Sequence, residues 1–78
     1  MSRDLFDRYI WLVDVIYRSK RITFKEINNK WEKNENISDG KPLPLRTFHN
    51  QRNQIEEIFD INIECDKKTN EYYIDNAD

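Results

Sequence analysis

Residues 43–55, LPLRTFHNQRNQI, hold two Arg, the only His of the chain, two Asn and two Gln, and no carboxylate. If the stretch is helical, Arg46, His49, Asn50 and Asn53 recur at three- and four-residue steps and share one face, with Thr47 beside them. These side-chain types can read base edges. Arg can bond two acceptors on guanine, and Asn both positions of adenine. Thr and His can donate to bases or phosphates, and a helix N-terminus adds free amides and positive partial charge that favour phosphate. The plain alternative is a solvated helix face. Asn and His are weak helix formers, however, and a face made only for water favours Glu, Lys or Ala.

For that face to look outward, a helix over residues 44–59 must be anchored by Phe48, Ile55 and Phe59. Leu45 and Ile58 are expected on the same buried stripe, with the stem of Arg52 at its edge. Pro44 suits the first turn, where a missing N–H is harmless. Upstream, residues 4–19 read as a helix whose stripe is Phe6, Tyr9, Ile10, Val13, Ile16 and Tyr17. Leu5 and Leu12 widen it, and Leu12, Val15 and Trp11 offer a second apolar side for a second copy or for further chain. Thr23-Phe24-Lys25-Glu26 is a capping box flanked by Ile22 and Ile27 as a staple. It opens a helix over 24–33 that buries Phe24, Ile27 and Trp31. Residues 34–42 contain the only Gly and the first Pro and read as a loop.

The C-terminal part reads as a hairpin. Ile61, Ile63 and Cys65 alternate with polar residues, Lys67-Lys68-Thr69-Asn70 makes the turn, and residues 71–75 return. Ile22 can add one short strand. The predicted fold class is therefore α+β, with three helices and a C-terminal β-hairpin: the layout of a winged helix-turn-helix. In that layout the third helix enters the major groove and the hairpin is the wing. Lys67 and Lys68 at its tip, with Arg21, Lys25 and Lys41, are candidate phosphate contacts; each reads equally well as a solvated charge.

At 78 residues the chain is long enough for one small domain, 1–78. The net charge of −2 argues against an overall polycation. The charge is unevenly distributed: residues 17–33 carry six cations against Glu26 and Glu32, while acids concentrate at both ends. One cysteine cannot form an internal disulfide, which suits a reducing, cytoplasmic location. No signal-peptide core or apolar run of membrane-spanning length is present. The lone His has no partnered nucleophile or co-ligands, and no Gly-rich phosphate loop occurs, so neither an enzyme nor a metal or cofactor site is expected.

Over "RITFKEINNKW" and "GKPLPLRTFHNQRNQIEEIFDINIECD…YYI" the chain resembles the N-terminal winged helix-turn-helix of WYL-domain bacterial transcriptional regulators, in particular the type common in Bacteroides-like bacteria. The resemblance covers almost the whole chain. It implies a regulator that binds specific double-stranded DNA, with Arg46, Thr47, His49 and Asn50 at the start of the recognition helix. Many relatives carry an aromatic-Arg-Asp run where this chain has His49-Asn50-Gln51, so the resemblance does not carry over which bases are read. The family's C-terminal sensor domain is absent from these residues, which makes the chain an excised domain or a naturally short protein. A homodimer is a possible state, and a winged helix that binds protein instead of DNA is the alternative reading.

Overall fold

The structure, a computed structural model, describes residues 5–75. Its elements run α1 (Leu5–Ser19), β1 (Ile22–Thr23), α2 (Phe24–Lys33), α3 (Glu35–Ser38), α4 (Leu45–Phe59), β2 (Ile63–Asp66) and β3 (Glu71–Ile74). The architecture is α+β, with four helices and a small antiparallel sheet in the order β1-β3-β2. The expected helix start at Asp4 lies outside the described residues.

Thr23 closes β1 and opens α2. Its hydroxyl accepts the Glu26 amide at 3.2 Å, and the Glu26 carboxylate accepts the Thr23 amide at 3.1 Å. The box thus satisfies two of the amides that lack backbone partners at the helix start. The Thr23 amide, and next the Thr23 hydroxyl, both donating to the Glu26 carboxylate, hold its carboxyl below its ordinary range. Ile22 pairs with Tyr72, so the short strand near Ile22 joins the hairpin's returning strand.

The expected three helices become four, because α3 forms inside the predicted 34–42 loop. The Asn34 carbonyl accepts the amides of Ile37 and Ser38, and the Ser38 hydroxyl bonds back to the same carbonyl at 3.0 Å. The turn leaves this helix through Asp39 at φ +57° and Gly40 at φ +76°. Gly40 accepts that left-handed backbone without steric strain. A four-residue helix has no periodicity for a sequence pattern to show.

The core is one cluster in which Leu12 and Ile16 of α1, Ile27 of α2, Leu43 ahead of α4, Phe48 and Ile55 within α4, and Ile63 of β2 are almost fully buried. Trp31 is buried and meets half-buried Trp11 edge to face, with ring centres 5.5 Å apart. Helix α1 is turned away from its predicted phase. The buried line is Tyr9–Leu12–Ile16, whereas Phe6, Ile10 and Tyr17 of the expected stripe are exposed. The Trp11–Val15 side packs against the core instead of standing free.

Helix α4 also differs in detail. Pro44 is its N-cap, not a first-turn residue. The inward line is Phe48–Gln51–Ile55, with Phe59 half-buried, and Leu45 and Ile58 are exposed. Arg52 does lie at the edge as expected, its guanidinium 5.4 Å from the Tyr72 ring centre.

In the hairpin, Ile63 pairs with Ile74 and Cys65 with Tyr72 on the core side, while Glu64 and Tyr73 share the outer side. Asp66 builds the turn: its carboxylate accepts the Lys68 amide at 2.9 Å and its carbonyl the Asn70 amide. Asn70 takes φ +60°, the left-handed conformation that Asn tolerates.

Candidate nucleic-acid interface

The orientation of α4 is set at both ends by side-chain to backbone bonds. At its entry, the Asn28 amide of α2 grips the backbone of Leu43: its Nδ2 donates to the Leu43 carbonyl at 3.2 Å and its Oδ1 accepts the Leu43 amide at 2.7 Å. Leu43 is itself buried, so this paired contact fixes how α4 leaves α2. At the far end, the Glu56 carboxylate accepts the Ile63 amide at 2.8 Å and ties the hairpin to the helix. One of the acids beyond residue 55 is therefore a structural strap.

With α4 held this way, Arg46, His49, Asn50 and Asn53 are exposed and Thr47 is half-buried. The side chains of Arg46, Asn50 and Asn53 make no hydrogen bond or ion pair among the described residues, and the His49 ring only leans on Phe48. A polar surface without internal partners keeps its full bonding capacity for something outside the protein. The first turn of α4 contains no acid and no side chain caps it. Its leading amides are therefore open, in contrast with the fully boxed start of α2. Glu57 is exposed one turn beyond Asn53, so the acid-free surface covers the N-terminal half of α4 only.

The predicted backbone-contact residues divide into two groups. Lys25, Lys41, Lys67 and Lys68 are exposed and form no ion pair among the described residues. A groove lined by Thr23, Lys25, Leu45, Thr69 and Asn70 places the start of α2, the start of α4 and the hairpin turn side by side. Lys41 lies three residues before the α4 N-cap. Arg21 is different. Its guanidinium bonds Asp66 at 3.0 Å, approaches Glu71 at 3.7 Å and stacks 4.6 Å from the Tyr73 ring centre. It braces the outer side of the sheet. The Lys68 amide, and next the Arg21 guanidinium, hold the Asp66 carboxyl below its usual range.

Comparison of the chain with protein families, with curated proteins and with solved structures finds no match in any of the three.

Two contributors escape a reading by residue type. Asn28 is a positioning residue, and its signal in the sequence is an Asn in mid-helix, where it is a poor helix former. Gln51 is buried, with an Oε1 that has no hydrogen-bond partner, and periodicity alone groups it with the polar residues around it. Elsewhere, half-buried Cys65 borders the groove and its thiol donates weakly to the Asp66 carbonyl. Burial and the adjacent thiol raise the Tyr72 hydroxyl above its ordinary value. Among the described residues no three His, Cys, Asp or Glu converge as metal ligands, and no helix is long and apolar enough to cross a membrane.

Proposed function

We propose that this chain binds double-stranded DNA with sequence preference, as a winged helix-turn-helix in which α4 enters the major groove and the β2–β3 hairpin is the wing. The observation that carries the reading is the unpartnered outward face of α4. Arg46, Asn50 and Asn53 project from a helix half that has no carboxylate and an open N-terminus. Arg46 and Asn50 supply base-edge contacts, Asn53 extends the same line one turn on, and Thr47 and His49 flank them. Lys25 and Lys41 beside the α4 entry, and Lys67 and Lys68 on the turn, meet the phosphates.

The reading agrees with the resemblance to the N-terminal domain of WYL-type transcriptional regulators, and it makes this chain the DNA-reading part of a regulator. One feature departs from the usual motif. The connection from α2 to α4 spans residues 34–44 and contains α3, against the three or four residues of a simple helix-turn-helix. The Asn28–Leu43 clamp compensates by fixing the angle between the helices directly.

The test is titration of labelled duplexes with the chain over a salt series. If the four free lysines each meet one phosphate, log K falls with log salt at a slope of about −3.6. A chain that stays unbound at low salt, or whose binding ignores salt, removes the reading.

A further inference from the structure

Leu45 opens α4, and the core leaves it outside: it is 49% exposed. An exposed first-turn position ordinarily favours Asp or Glu, which complement the helix dipole. Here it holds a large apolar side chain beside Arg46. Leu45 borders the groove where the start of α2, the start of α4 and the hairpin turn meet. The floor of that groove is aromatic and fixed. Phe24 and Tyr72 line it, and both pack on buried Phe48, with ring centres 5.2 and 5.0 Å away. Its rim is polar and cationic, with Lys25 on one side and Thr69 and Asn70 on the other, and Lys67 and Lys68 continue along the turn. No acid lines it, in a chain with 15 Asp and Glu. A surface of this charge suits a polyanion, and its apolar part suits one that also presents an apolar group.

We infer that Leu45 is a specificity-determining residue that packs on the 5-methyl group of a thymine, an inference that rests on the proposed entry of α4 into the major groove. The thymine methyl is the one apolar group on the base edges of that groove. Contact between it and Leu45 takes both out of water. Cytosine in the same place presents an amino donor there, which leucine cannot accept. The deoxyriboses are partly apolar too, but they follow the backbone line that Lys25 and the turn would hold. Leu45 instead adjoins Arg46, the residue placed on a base edge. Consecutive Cα atoms are about 3.8 Å apart and stacked bases about 3.4 Å. The thymine therefore lies within about two base pairs of the pair that Arg46 reads.

The test uses duplexes of the sequence that the native chain selects, with deoxyuridine in place of each thymine in turn. Each exchange removes one methyl group from one base. Anisotropy titrations compare the native chain with Leu45→Ala. For the native chain, one exchange within about two base pairs of the pair read by Arg46 should weaken binding about fourfold, the effect of returning one methyl group to water. Leu45→Ala should bind the thymine and deoxyuridine duplexes alike. The comparison is made within each protein, so a general loss of affinity in the variant cancels. Circular dichroism checks that the variant is folded, and Leu45→Gln, which keeps a long side chain but not an apolar one, decides the matter if Leu45→Ala unfolds. Binding that ignores every thymine methyl overturns the inference and leaves the DNA reading standing. So does a selected sequence with no thymine in that interval, or a methyl effect that survives the substitution of Leu45. A chain that binds no duplex removes the DNA reading itself, and this inference with it.

Discussion

Replacing Asn28 by Ala tests whether α4 is held by a single amide. The substitution removes two hydrogen bonds, at 3.2 and 2.7 Å, and leaves the amide and carbonyl of Leu43 without those partners. Each bond contributes about 1 kcal/mol net, so about 2 kcal/mol is lost. Ala is the better helix former by about 0.5 kcal/mol, which leaves roughly 1.5 kcal/mol of destabilisation. In a domain of this size that lowers Tm by about 6–12 °C. Thermal and urea melts measure it, with Asn29→Ala as the control. Asn29 is the exposed neighbour on the same helix, so its replacement should be neutral or slightly stabilising. The clamp has a second consequence: Asn28→Ala should weaken DNA binding without touching DNA, because the entry angle of α4 is no longer fixed. If Asn28→Ala and Asn29→Ala melt together, the clamp does not hold the helix and the reasoning fails.

Asn50→Ala should cost about 1–3 kcal/mol at the preferred site and relax the base preference there, as read by competition between matched and mismatched duplexes. Lys67→Ala with Lys68→Ala should weaken binding to all sequences about equally and make the salt slope shallower by about 2; an unchanged slope places the hairpin turn away from the phosphates. Thr23→Ala should destabilise the fold by about 1 kcal/mol through loss of the α2 cap, measured by urea melts. The carboxyls of Glu26 and Asp66 titrate below their ordinary range in the folded chain, so they bind protons less readily folded than unfolded. Their contribution to stability is therefore complete above the ordinary carboxylate range and is lost as pH falls below about 4, which urea midpoints against pH will show as a decline.

The start of α2 and the hairpin were legible because they are marked by local chemistry. The Thr23–Glu26 box, the Asn70 turn and the alternation around Ile63 act over three or four residues, and each appears where its chemistry requires. The outward phase of Arg46, His49, Asn50 and Asn53 was legible for a related reason: Phe48 and Ile55 leave α4 few ways to turn. The phase of α1 was not. That helix carries large apolar residues on most of its circumference, and periodicity cannot say which side meets Ile27, Leu43 and Trp31. The Leu12 side fits into that pocket of the fold, so Phe6, Ile10 and Tyr17 remain outside. Helix α3 and the Asn28 clamp were hidden because both depend on bonds to backbone groups, which the amino-acid types on either side do not record. The bracing role of Arg21 was hidden in the same way, since its partners lie 45 and 50 residues further along the chain.

The central claim is that the outward face of α4 reads bases, and selection from random duplexes, carried out in parallel with the native chain and with Arg46→Ala, tests it most directly. The account predicts that the native chain enriches a defined motif and that the variant loses preference for one base pair within it while keeping the rest. Failure of the native chain to enrich any motif, or an identical motif from both proteins, would contradict it.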